Sequence, residues 1–361
     1  MIWVIVKLTA GLYEEGVMKV GILTGGGDCP GLNAVIRAAA KKLINEYDAE
    51  ICGIRDGWRG LVENEVFTLS LEDVEGILKE GGTVLNTSRT NPFKNEDQLN
   101  STLNHIEENQ FDAIVAIGGD DTLGAATKLY EEHGVNTVGV PKTIDNDLNG
   151  TDYTFGFDTA VSIATDAIDR CRTTARSHHR TLVVEVMGRH AGWIGLHSGI
   201  ASGADIILIP EFPFSMTGVI DRLKKSTEAG RKNHIVVVSE GASMENQDEL
   251  VTKNENVDEF GHVILGGIGD LVADEIEKGA GLETRSVILG HIQRGGTPTA
   301  RDRVLSTRFG LKAAEMVGRQ EFGKMAALQG DEIVTVPLST ATGELKLVTK
   351  ELYDMTEFIT I

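Results

Sequence analysis

KVGILTGGGDCPGLN, running from Lys19 to Asn33, holds the reading that decides the fold. Apolar and β-branched residues from Lys19 to Leu23 stop at three glycines, and a helical pattern begins at Leu32. That order spells a strand, a tight turn and a helix. Glycines in such a turn let backbone amides approach an anion, and a helix N-terminus adds roughly half a positive charge. The turn reads as a phosphate cradle, with a plain strand-to-helix connection as the alternative. Its spacing is neither G-x-G-x-x-G nor G-x-x-x-x-G-K-[ST], which sets aside the dinucleotide-binding and P-loop signatures.

Outward from this stretch the same order recurs. Strands are expected at Lys19–Leu23, Glu50–Ile54, Ala113–Ile117, Thr137–Val140, Leu182–Val186, Ile206–Ile209, Ile235–Val238 and Arg285–Leu289. Helices are expected at Leu32–Asn45, Leu123–Glu132, Thr159–Thr173, Thr217–Glu228 and Arg301–Val317. The strands are apolar almost without a break, as strands covered on both faces of a parallel sheet must be. Strand alternating with helix gives an α/β class with wound, Rossmann-like parallel sheets. A chain of 361 residues accommodates two such cores, and the first crossing between them is placed near Gly156.

Composition excludes several classes. Acidic residues number 54 against 34 basic, a net charge of −20, so the bulk surface repels nucleic acid and anionic lipid. A phosphate site must then be a local basic concentration. Cys29, Cys52 and Cys171 form neither a C-x-x-C pair nor a zinc pattern; free thiols in a reducing, cytoplasmic compartment are expected. No apolar stretch reaches the roughly 18–20 residues that span a bilayer, so no membrane partner is expected. Met1–Thr9 lacks the basic region of a signal peptide. Met18 offers a second start, and residues 1–17 are read as an extension produced by gene calling, because Glu14-Glu15-Gly16 has purine-rich codons resembling a ribosome-binding site.

Two further strand ends carry polar clusters. At Gly118-Gly119-Asp120-Asp121-Thr122, carboxylates beside a phosphate cradle would repel substrate unless a cation lay between them, so Mg²⁺ is inferred at Asp120. Helix capping is the plainer alternative. Pro141-Lys142-Thr143-Ile144-Asp145-Asn146-Asp147 ends the next strand. Here Asp145 suits a general base and Asp147 a supporting contact, against an Asx-rich turn. Arg89, Arg172, Arg180, Arg189, Arg285 and Arg294 are placed in or near loops beside strands, where guanidinium forks suit phosphate oxygens; singly, each would be a solvated charge. His291 and Arg294, beside paired glycines, suit a phosphate as well.

GGGDCPGLN, GGDDT, PKTIDND, VMGRHAG, SEG and GHIQRGG, in this order from about Met18 to Gly330, resemble the phosphofructokinase family. The resemblance implies an active site in the cleft between two domains. It places residues 18–156 with 292–340 in a domain for phosphoryl donor and Mg²⁺, and residues 157–291 with 341–361 in one for fructose 6-phosphate. It implies phosphoryl transfer to the sugar 1-hydroxyl, with Asp145 taking the proton and Thr143, Ile144 and Asp147 beside it. Arg180, Met187, Gly188, Arg189, Glu240, Arg285, His291 and Arg294 match the positions that hold the sugar phosphate. Arg180 and Arg285 come from a neighbouring subunit in this family, so a homodimer or homotetramer is expected and a monomer should be inactive. Gly26, Gly27, Arg89, Gly119 and Thr122 match the side that holds the donor phosphates.

Donor choice turns on Asp121 and Lys142, where ATP-using bacterial relatives typically carry glycine. A carboxylate at 121 would crowd and repel the α-phosphate of ATP, while the Lys142 ammonium suits a pyrophosphate leaving group. The expected donor is pyrophosphate, and the reaction is expected to run reversibly within glycolysis. ATP on the same scaffold is the first alternative, and a non-catalytic phosphometabolite-binding protein the second. In the effector pocket of such relatives Arg37 and Arg172 persist, but Glu65 stands where arginine is expected, so response to ADP or phosphoenolpyruvate should be weak. Ala242–Gly261 reads as a surface excursion. The tail beyond Gly330 matches little.

Overall fold

The computed structural model describes residues 16–245, 252–257, 263–358 and 360–361. The supposed N-terminal extension lies outside them, save its last two residues. In chain order the first elements are β1 (Lys19–Thr24), α1 (Leu32–Tyr47), β2 (Glu50–Ile54), α2 (Trp58–Val62), β3 (Val66–Thr68), α3 (Leu71–Glu75), α4 (Glu96–Glu108), β4 (Ala113–Gly118), α5 (Asp120–His133) and β5 (Thr137–Pro141). Then follow α6 (Phe157–His178), β6 (Thr181–Val186), α7 (Trp193–Ser202), β7 (Ile206–Leu208), α8 (Met216–Glu228), β8 (His234–Ser239), β9 (Thr252–Val257), β10 (Val263–Leu265), α9 (Ile268–Ala280) and β11 (Thr284–Ile288). The chain closes with α10 (Ala300–Gly318), β12 (Lys324–Gln329), β13 (Glu332–Pro337) and α11 (Lys350–Asp354).

The chain divides into two units. The first takes residues 1–142, 148–155 and 296–344, the second residues 143–147, 156–295 and 345–361. The first is built on a seven-stranded sheet in the order β13-β12-β5-β4-β1-β2-β3. Its interior strands run parallel, but β3 pairs antiparallel to β2 and β13 antiparallel to β12, so the sheet is parallel only in its middle. Every residue of β4 and β5 is buried, which accounts for their unbroken apolar runs. Leu23, Ile54, Trp58, Ile114, Leu123 and Met325 centre the core. On the other face α1 lies against α10, and a Cβ at Gly310 would stand 2.5 Å from the Val35 carbonyl oxygen, so the close helix approach requires glycine there.

The second unit is built on a four-stranded parallel sheet, β11-β6-β8-β7. Val183, Leu208, Leu223, Val236, Ile268 and Ile276 form its core. Of the Ala242–Gly261 excursion, β9 pairs antiparallel with β10, residues 242–245 are described, and the rest lies outside the described residues. The tail beyond Gly330 supplies β13 and α11. Among the described residues no helix is long and apolar enough to cross a membrane.

Candidate active site

In the first unit, the carboxyl ends of β1, β4 and β5 converge, because adjacent parallel strands bring their exits to one edge. The glycines there are set by contact. A Cβ on Gly25 would sit 2.5 Å from the Thr122 hydroxyl, and one on Gly118 would sit 2.3 Å from Thr122 Cβ. Thr122, 2% exposed, therefore fills the space between the two turns. Lys142 is 4% exposed, and its ammonium donates to the Gly27 carbonyl at 2.5 Å. A buried ammonium is costly to leave without acceptors, so the turn and the lysine hold each other. Gly26, at φ +77, lies alongside: a Cβ there would be 3.4 Å from Lys142 Nζ.

One expectation needs correction. The Gly25 and Gly26 amides do not point into an open cradle. Gly25 donates to Ile117 O at 2.9 Å and Gly26 to Ser88 O at 3.0 Å. Glycine serves here for close packing as much as for anion approach. Asp120 and Asp121 open α5 beyond the Gly119 N-cap, where a helix N-terminus stabilises carboxylates. Asp120 is exposed and Asp121 half-buried. Among the described residues no three His, Cys, Asp or Glu side chains converge on a metal position. Arg89 is exposed, directly after Ser88.

In the second unit, the turn after β6 lies on the end of β8. Glu240 donates its backbone N–H to Val186 O at 2.9 Å, and Gly241 to Gly188 O at 3.1 Å. A Cβ on Gly241 would reach within 1.8 Å of the Arg189 carbonyl, and Gly188 adopts φ +140. Met187 and Gly188 are buried, and Arg189 is half-buried. Burial first, then the negative charge of Asp145, pushes the Glu240 carboxyl up to about 7; a backbone hydrogen bond from Gly188 and the Arg294 guanidinium pull the other way. Asp145, Glu240, Gly188 and Arg294 thus share one electrostatic neighbourhood.

The Thr143–Asp147 turn is organised locally. Thr143 Oγ1 accepts from the Asp145 amide at 3.0 Å, and Asn146 adopts φ +53. Lys346, from the tail, donates its backbone N–H to Asp147 O at 2.8 Å and its ammonium to Asn146 Oδ1 at 3.0 Å. Ile144 is 0% exposed, so its side chain is core. His291 is exposed in the single turn of 3-10 helix that also carries Arg294.

Arg180 and Arg285 lie elsewhere. They sit at the amino ends of β6 and β11, where Arg180 meets Glu283 at 2.7 Å and Arg285 meets Glu283 at 3.2 Å and Glu277 at 3.5 Å. Strand rise alone puts the amino end of β6 roughly 16–20 Å from the Met187 turn. Arg172, expected beside a loop, is a correction: it lies within α6 and donates to the Ser202 and Gly203 carbonyls at the end of α7, because helix α6 runs on to His178. Arg37 is engaged by the carbonyl and carboxylate of Glu75. Cys29, Cys52 and Cys171 form no disulfide with one another, as expected.

Two contributors escaped the reading of the sequence. Gln293, 0% exposed, accepts the Met187 N–H at 3.3 Å and donates to Gly290 O, so it props the turn after β6. The stretch Thr83–Ser88 holds Gly26. Their only signal was a run of small polar residues and an amide inside GHIQRGG.

Comparison with known proteins completes the picture. Residues 19–317 match the phosphofructokinase family model. A pyrophosphate–fructose 6-phosphate 1-phosphotransferase of Streptomyces coelicolor is 56% identical over 93% of this chain and 98% of its own. An ATP-dependent 6-phosphofructokinase of the same organism is 49% identical over 95% of this chain and all of its own. Among solved structures, phosphofructokinase from Saccharomyces cerevisiae is 30% identical with TM-score 0.77 over 95% of this chain, which spans 46% of the yeast chain. The wound sheets, the clustered strand exits and the full-length likeness agree, and this chain belongs to the phosphofructokinase family.

Proposed function

We propose that this protein transfers a phosphoryl group from pyrophosphate to the 1-hydroxyl of fructose 6-phosphate, reversibly, giving fructose 1,6-bisphosphate and phosphate. The observation behind the donor is Asp121, half-buried in the first turn of α5 and a strand end away from Lys142, a buried ammonium seated against the glycine turn. A fixed cation there neutralises charge on an inorganic phosphate leaving group without reorganising. The Asp121 carboxylate repels a nucleoside triphosphate. The 56% identity to the Streptomyces pyrophosphate enzyme, against 49% to its ATP-dependent counterpart, leans the same way.

In this reading Gly26, Gly27, Arg89, Gly119 and Thr122 shape the donor side. Asp120 fits Mg²⁺: an exposed carboxylate that, among the described residues, belongs to no cluster of three or more ligating side chains suits an ion that keeps waters and shares phosphate oxygens. Bound there, the ion would offset phosphate charge. Asp145 takes the proton from the sugar hydroxyl, worth about 10²–10⁴-fold. The hydrogen bond from its backbone N–H to Thr143 Oγ1 and the Lys346 contacts to Asn146 and Asp147 keep it aimed, since in-line transfer depends on alignment. Met187, Gly188, Arg189, Glu240, His291 and Arg294 receive the sugar phosphate. Arg180 and Arg285, at the far end of their strands, serve a neighbouring copy, so the working form is a homo-oligomer. Three cysteines without a disulfide among them fit a reducing, cytoplasmic setting.

The test is fructose 1,6-bisphosphate formation with pyrophosphate and with ATP side by side. Turnover with pyrophosphate is expected. Turnover with ATP alone would transfer the reading to the ATP-dependent class, and sugar-phosphate binding without turnover to a binding protein.

A further inference from the structure

The glycine turn after β1 is gripped by a stretch distant in sequence. The Ser88 carbonyl accepts the Gly26 N–H at 3.0 Å, and the Thr87 hydroxyl donates to the Gly26 carbonyl at 2.6 Å. Thr24, the residue that leads into the turn, donates to Asn86 O at 2.7 Å and lies 2.9 Å from the Thr83 hydroxyl. At the other end, Asn33 on the first turn of α1 is 1% exposed. Its amide donates to the Glu80 and Gly81 carbonyls at 3.2 and 3.4 Å and accepts the Val84 N–H at 2.8 Å.

Both backbone groups of Gly26 are therefore engaged, at a residue whose φ of +77 belongs to a region glycine enters and leaves freely. A turn of three glycines left to itself samples many conformations, and a ligand that selects one must overcome that entropy. Pinning both the N–H and the C=O removes the freedom before the ligand arrives.

We propose that Thr83–Ser88 is a strap that preorganises the glycine turn for the donor, with Thr87 as a positioning residue that acts through Gly26 and Asn33 as one that holds the strap and the residues leading into it. The inference rests on the donor reading given above. Because all of these bonds lie within the first unit, the strap affects the donor and leaves the sugar phosphate alone.

Thr87→Val removes the hydroxyl and keeps the shape; Thr87→Ser returns the hydroxyl. With purified enzyme, Thr87→Val is expected to raise KM for pyrophosphate on the order of five- to tenfold, the scale of one lost hydrogen bond. KM for fructose 6-phosphate should stay at its wild-type value, the Tm should fall by no more than about 4 °C, and Thr87→Ser should restore KM for pyrophosphate. Asn33→Asp, which keeps the acceptor for Val84 and loses the donated bonds, should shift the same constant in the same direction. Equal shifts in both KM values, no shift in Thr87→Val, or no rescue by serine would overturn the strap. A wild-type enzyme idle with pyrophosphate would overturn the donor reading itself, a separate result from an active wild type indifferent to Thr87→Val.

Discussion

Lys142 and Asp121 lie on adjacent strand exits, and under the proposed reading each opposes a different wrong outcome. Replacing Lys142 by alanine removes a buried cation placed to meet leaving-group charge; the pyrophosphate rate should fall about 10²–10³-fold, the loss seen when one preorganised charge-stabilising group is deleted. Asp121→Gly should open measurable ATP use. Steady-state rates of both variants with both donors decide it, and an unchanged donor preference in both would remove the electrostatic account. Glu240 gives a pH-dependent expectation. In the unfolded chain its carboxyl ionises near 4.5, in the folded chain near 7. Between those values the unfolded state has lost a proton that the folded state retains, so this residue makes stability fall as pH rises through the window, with the full penalty present above it. Glu240→Gln lacks the penalty. Its Tm should exceed the wild-type Tm by a margin that opens between about pH 5 and about pH 8, and a constant margin would refute the raised value.

At the scale of elements, the turn after β6 tolerates no side chain at Gly241. An added Cβ meets a backbone carbonyl, which cannot swing aside as a flexible side chain does. Gly241→Ala should therefore cost about 2–4 kcal/mol in urea unfolding, in the range of strained or overpacked sites. Gly76 offers the contrast: its φ is −85 and nothing lies within 4 Å of an added Cβ, so Gly76→Ala should be neutral or stabilising by up to about 1 kcal/mol. The legible elements were those with strong patterns. Apolar runs such as Ile235–Val238 lie inside observed strands because a strand buried on both faces has no polar position to confuse the pattern. Helix α4, EDQLNSTLNHIEE, went unread although Leu99, Leu103 and Ile106 stand at i, i+4 and i+7 and pack on the core, because so narrow a stripe is outnumbered by the polar residues around it. Helix α7 is hidden by three glycines, at 195 and 199 for close approach to Ser239 and Ile207 and at 203 as its cap. The strap was illegible for another reason: nothing local in Thr83–Ser88 says that its partners are Gly26 and Asn33.

For the whole molecule, the family resemblance put Asp145, Glu240 and Arg294 in one site, and the parallel-sheet reading already set the starts of the strands apart from their ends; what neither could show is that Glu283 pairs with both Arg180 and Arg285 there. The proposed arrangement makes a sharp demand. A chain with Asp145→Asn and a chain with Arg285→Ala should each be nearly inactive alone. Co-expressed, they should form mixed oligomers in which the Asp145 of one chain meets the Arg285 of the other, restoring roughly a quarter of wild-type activity if dimers assort at random. No recovery in mixed oligomers confirmed by mass spectrometry would show that both residues serve the same chain. The seven-stranded sheet ends in antiparallel strands on both sides, whereas the four-stranded sheet ends on β11 with Arg285 in it. An unpaired border of this sort invites stray strands from other chains, and a guanidinium planted in it deters them. By that reasoning an apolar replacement of Arg285 should show itself as turbidity on storage before any assay is run.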